Sequence, residues 1–216
     1  MTRGHRWLIN VAAVAVGTSV LVWFFPLFHI VPLRQESRRK AVAAFDASAY
    51  VDRFWADRLI PGAAKAVNAA ELVAALEHDR DAARRKYGHR LGIGGPSTYL
   101  VKGTGRVVSV EKDAVRLALG NGPSRVQVSL QAGKIFGNTV RDGTGLLDVG
   151  DFARMQDFNA LSEELNRRVE EHVLPKLRGM AAVGSTLRFV GCAEETDEGS
   201  VLIPTLQVVP FIVDVP

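Results

Sequence analysis

One cysteine, Cys192, is all the thiol chemistry in 216 residues, so no intramolecular disulfide can form. It lies in the alternating stretch Leu187-Arg188-Phe189-Val190-Gly191-Cys192, which predicts a buried or half-buried strand residue. A nucleophilic thiol would need a neighbouring base, and none is readable from the sequence. Low-complexity tracts and internal repeats are also lacking, which excludes solenoids and long disordered linkers. Metal-ligand spacings are missing: His172 follows Glu170 and Glu171 with no second histidine one helical turn away, and His5, His29, His78 and His89 are scattered. The acidic run Glu194, Glu195, Asp197 and Glu198 does not fit a twelve-residue calcium loop. No Ser/His/Asp grouping or acid-base carboxylate pair can be read either. These absences predict no metal, no cofactor and no catalytic residue.

What is present begins with an uncharged run of 22 residues from Trp7 to Phe28. As a helix it would span roughly 33 Å, about the hydrocarbon thickness of a bilayer. Trp7 and the cluster Trp23-Phe24-Phe25 mark its two ends as interfacial aromatics do, and Pro26 closes it. The run is longer than a signal-peptide core and ends in bulky residues, which predicts a retained signal anchor over a cleaved peptide. Residues 1–33 are therefore expected to be a single-pass anchor with the lipid bilayer as partner. Arg3 and Arg6 before the helix are balanced by Arg34, Arg38, Arg39 and Lys40 after it, so charge alone does not orient it.

The net charge of +4 is unevenly placed. Residues 34–90 carry 12 Lys and Arg against 8 Asp and Glu, whereas residues 91–216 carry 13 against 15. The basic excess thus lies nearest the anchor, where anionic headgroups would attract it. A nucleic-acid partner is not expected, because the remainder is slightly acidic and poor in tyrosine and tryptophan.

Periodicity then divides the chain. Residues 34–97 read as a juxtamembrane helical region: Tyr50, Val51, Phe54, Trp55 and Leu59 form a stripe, capped by Asp46 or Ser48 and stopping at Pro61-Gly62. A second helix starts near Asn68. From residue 98 the period becomes two, predicting strands over 99–110, 115–119 and 125–130, with Gly103 and Gly105 marking a bulge or a barrel bend. A long amphipathic helix follows over 152–174, then strands over 186–192 and 201–209. The expected fold class is α+β. Helices pack on a small curved antiparallel sheet or partly open barrel, of which the oligonucleotide-binding-like barrel is one form. Residues 98–216 are expected to form one globular domain with 41–97.

The densest segment is Gln131–Asp142, whose glycines, Lys134, Thr139 and Arg141 resemble a phosphate cradle without matching G-x-x-x-x-G-K-[ST]. A structural role is the simpler reading, with Arg141 paired to Asp142, Asp148 or Asp151. As a ligand site the candidates are Arg141, Asp142 and Gln156, and a small-molecule enzyme built on them is the alternative to a binding module.

Several short pieces occur in a colinear order: Ile30-Val31-Pro32, Tyr87-Gly88, Gly94-Gly95-Pro96, Lys102-Gly103, Gly105-Arg106-Val107, Gly137 with Arg141-Asp142, Phe152 with Gln156, Leu165-Asn166, and Gly184 with Phe189 and Gly191. In that order the chain resembles a bacterial family of uncharacterised predicted periplasmic lipoproteins, often encoded beside sugar ABC transporter components. The resemblance implies a domain facing the periplasm and sugar ABC transporter components as partners. Lipidated members carry a cysteine just before the Ile-Val-Pro run, where this chain has Phe28-His29. The helix would then take the place of the lipid.

Overall fold

The computed structural model describes residues 45–91, 95–120, 126–194 and 205–216. The predicted anchor therefore lies outside the described residues. Among the described residues no helix is long and apolar enough to cross a membrane.

Helix α1 (Ala47–Phe54) starts where the Asp46 carboxylate accepts the Ala49 N–H at 3.0 Å. It does not stop at Pro61-Gly62 as expected. It runs on through a π turn (Trp55–Leu59), the short α2 (Ile60–Gly62) and a 3₁₀ turn (Ala63–Lys65). Pro61 directly follows the π turn, whose last bond runs from the Ile60 N–H to the Trp55 carbonyl. A two-residue strand β1 (Val67–Asn68) follows, and Asn68 caps α3 (Ala69–His78) through Ala70 N–H at 2.8 Å. Asp79 then caps α4 (Arg80–Tyr87) in the same way.

Strand β2 (Thr98–Val110) is the spine of the molecule. It pairs antiparallel with β5 (Thr186–Glu194) over Thr98–Arg106 and with β3 (Ala114–Leu119) over Gly105–Val110. Its register with β3 shifts between Val107 and Ser109, and its glycines lie where neighbouring groups approach closely. A Cβ on Gly103 would stand 3.0 Å from the Phe189 ring, and one on Gly105 would stand 3.0 Å from the Ala118 carbonyl oxygen. The sheet continues from β3 to β4 (Val128–Gln131), to β6 (Leu206–Asp214) and to β5, and β5 closes on β2. The result is a closed five-stranded barrel, where a partly open one was equally compatible with the sequence. Its β4–β6 seam is parallel, a correction to the all-antiparallel expectation. A parallel pair needs a long crossover. Here that crossover holds α5 (Thr139–Gly143), α6 (Met155–His172), α7 (Leu174–Met180) and β5.

Helix α6 begins three residues later than predicted. Phe152 lies outside it in extended conformation, and its ring packs between Tyr50 (5.5 Å between centroids) and Phe158 (5.2 Å). The apolar spacing seen in the sequence is thus real, but its first member acts from the preceding loop. Phe158, Leu161, Leu165 and Val169 form the buried stripe. With Tyr99, Leu117, Leu130, Leu187 and Phe189 they make a continuous core, each large side chain contributing roughly 1.5–3 kcal/mol of burial. Strand β6 runs to Asp214, beyond the expected end at Val209, and carries Pro210 opposite Gly191 at a register shift where a missing N–H is tolerated. Asp46–Pro216 form one compact unit.

Candidate functional site

Arg141 and Asp142, the first two sequence candidates, are adjacent on the short helix α5 and face each other. Arg141 Nε donates to Asp142 Oδ1 at 2.6 Å and Nη2 to Oδ2 at 3.3 Å. Nη1 donates to the Phe158 carbonyl and to Asn159 Oδ1, both at 3.3 Å, and the guanidinium stands 3.9 Å over the Phe158 ring. The Arg141 side chain is only 4% exposed. Of the three carboxylates the sequence offers it, Asp142 is the partner. Gln156 is exposed in the first turn of α6. The arginine fork is thus spent on fastening α5 to α6 and to its own neighbour.

The glycine-rich stretch before α5 is likewise occupied by the protein. The N–H groups of Ala132 and Gly133 bond to the Asp113 carbonyl at 2.9 and 3.2 Å. Glu170 takes the Ile135 N–H at 2.8 Å and Lys134 Nζ at 2.9 Å. Asn166 Nδ2 donates to the Gly137 carbonyl at 3.0 Å, where Gly137 adopts φ +81°. A phosphate cradle needs free N–H groups converging on one point, and those of Ala132, Gly133 and Ile135 are committed to the fold. Burial opposes ionisation of Glu170, but the Lys134 and Ile135 bonds outweigh it and hold the carboxyl below its usual range.

Cys192 is fully buried on β5, its thiol 3.6 Å from the Val140 carbonyl. Burial pushes its pKa well up, and the nearby Asp142 charge adds to the rise. A protonated, enclosed thiol is a poor nucleophile.

A different place has the features of a ligand site. Between the π turn, the α6–α7 junction and β6 lies a cleft of about 320 Å³. Trp55 and Phe211 meet edge to face at 6.3 Å on one side of it. Arg168, His172 and Lys176 reach it from the helices. A π turn inserts one residue into the helical ladder, with Ile60 N–H returning to the Trp55 carbonyl, and so turns the face that follows. Such turns gather at functional sites. Arg168 pairs with Asp52 of α1 through Nη2 and stands 5.7 Å over the Trp55 ring. Its Nε is buried with no hydrogen-bond partner. His172 and Lys176 stand one turn apart across the junction, where Pro175 starts α7.

Sequence reasoning did not find this cleft. Trp55 reads as part of a helical stripe, His172 stands out only for its lack of a second histidine, and Arg168 and Lys176 carry no signal. The signal present was Trp55 near Pro61 and Gly62, a helix followed by residues that disturb it, but nothing in the sequence brings β6 against it.

Among solved structures, a crystal structure of an OB-fold protein from Thermotoga maritima is similar to this chain, with 24% identity and a TM-score of 0.70. The match covers 81% of this chain and 100% of that one. The likeness is one of fold. No curated protein matches the chain significantly. The family described as "Predicted periplasmic lipoprotein (DUF2291)" matches residues 18–214, and the chain belongs to that family.

Proposed function

We propose that the chain is a non-catalytic extracytoplasmic binding or accessory module, held at the inner membrane by the apolar segment 7–28. The observation that carries this reading is the Trp55–Phe211 cleft. Its lining sets the aromatic surface of Trp55 and Phe211 beside Arg168, His172 and Lys176, a combination suited to holding a ligand. The Arg141 cluster, by contrast, is satisfied internally. The family's name supports the periplasmic side. No cysteine occurs before Cys192 to take a lipid, so the long uncharged run is the natural anchor. A working partnership with a sugar ABC transporter belongs to the same proposal.

The test is topology and tethering together. A reporter active only in the periplasm, fused after Pro216, is expected to be active, and signal from a cytoplasm-only reporter at that position would overturn the placement. Substituting Val14→Arg and Val16→Arg adds roughly 5–7 kcal/mol to insertion and is expected to empty the membrane fraction. Unchanged membrane association would mean another anchor. In-cell cross-linking of the tagged chain is expected to capture a sugar permease subunit, and its absence from the cross-linked products would remove the transporter partnership.

A further inference from the structure

We propose that the Trp55–Phe211 cleft binds a small organic monoanion, a carboxylate borne on a single ring; this rests on the reading above that the cleft is a ligand site.

Charge is the first argument. Along α6 the other arginines are neutralised within the helix: Arg154 by Asp157 at 2.7 Å, and Arg167 by Glu164 and Glu171, each at 2.5 Å. At the cleft, Asp52 offsets one of the two permanent cations, Arg168 and Lys176. Among the described residues, His172 and Lys176 have no acidic partner. At the cleft itself Lys176 is the permanent cation without an acidic partner, a single charge that matches a carboxylate.

The second argument is an unmet donor. Arg168 Nε is buried without an acceptor, although its Nη2 is held by Asp52. A buried donor left unmade is costly, so native structures rarely leave one without a reason. The Asp52 pair and the Trp55 ring hold the guanidinium at the cleft with that Nε unmet; a shift of the Arg168 side chain would present it to a carboxylate oxygen, with Lys176 and His172 as further donors on the lining.

Shape is the third argument. Trp55 and Phe211 form an aromatic corner, and Ile60 and Val173 add apolar wall. A flat ring or the C–H face of a sugar ring packs against such a corner. About 320 Å³ is at the small end of ligand sites, which suits one ring and not an extended polymer.

The test uses the full chain in detergent micelles, with the indole N–H resonance of Trp55 as reporter, assigned by its loss in Trp55→Phe. Benzoate and glucuronate are titrated beside their neutral counterparts benzamide and methyl glucoside, each to about 10 mM, where a site with a Kd of about 1 mM is largely filled. At least one carboxylate is expected to move the Trp55 resonance saturably, and at least about tenfold more tightly than its neutral counterpart. Arg168→Met is expected to weaken that binding about tenfold. The exposed Lys176→Met serves should Arg168→Met not fold, and is expected to weaken it several-fold. Equal binding of neutral and charged probes would overturn the anion assignment and leave the cleft a ligand site. A Trp55 resonance unmoved by all four would overturn both readings.

Discussion

Replacing Arg141 by alanine removes more than one ion pair. The Asp142 carboxylate, 19% exposed, loses both of its fork bonds. The Phe158 carbonyl and Asn159 Oδ1 lose a donor, and the Phe158 ring loses the cation stacked on it. Removing one member of a buried pair costs about 3–5 kcal/mol. Asp142 keeps some access to water, so the low end, about 3 kcal/mol, is expected. A domain of this size melts about 2–4 °C lower per kcal/mol, so Arg141→Ala should lower Tm by about 6–12 °C. That is a large share of a typical stability of about 5–15 kcal/mol. The assay is a thermal melt of the full chain in mild detergent, followed by near-UV circular dichroism. Arg141→Lys keeps the charge but not the planar fork and should fall between wild type and alanine. A melt of Arg141→Ala superimposing on wild type would refute the structural role and return Arg141, Asp142 and Gln156 to the front as a binding site.

Further outcomes follow from the geometry. A methyl on Gly191 would stand 2.5 Å from the Val209 carbonyl oxygen and 2.9 Å from Pro210 Cα; Gly191→Ala should therefore cost about 1–3 kcal/mol, read as a lower urea midpoint. Gly179→Ala, on α7 with nothing within 4 Å of its Cβ, should be neutral or slightly stabilising, and equal midpoint losses for the two would refute the close-packing argument. Glu170, held below its usual range, stabilises the fold above its unfolded pKa of about 4.5 and loses that contribution as pH falls through its lower folded value. The stability gap between wild type and Glu170→Gln should thus be full near neutrality and close in acid, whereas a gap unchanged down to about pH 2 would show that ionisation is not its source. Lys134→Ala should cost less than about 1 kcal/mol, since the Lys134 side chain is 69% exposed.

Much of the fold was legible because its determinants are local. The period-two stretches predicted the strands, but the irregularity of β2 falls between Val107 and Ser109, and Gly103 and Gly105 instead admit the close approach of Phe189 and Ala118. Capping is short-range chemistry: Asp46, one of the two candidate caps, takes that role, and the second helix starts at Asn68 as expected. The buried state of Cys192 followed from its alternating neighbours. Element ends were less legible: Phe152 has the spacing of a helix residue but packs from outside, and Pro61 was read as a stop because the π turn before it leaves no mark in the sequence.

The sequence by itself determined the class of the molecule: a long uncharged run near its start, helices before a sheet of short strands, and a lone inert thiol. These depend on residue type and spacing along the chain. Tertiary structure alone decided that the barrel closes, that β4 and β6 run parallel, and which of three carboxylates Arg141 takes. It also decided that Trp55, Arg168 and Phe211, separated by more than 150 residues end to end, share one cleft. Each of these is a pairing between distant segments. Such pairings join segments far apart along the chain, as β5 closes on β2 and β6 lies between β4 and β5, and no local pattern of residues encodes them.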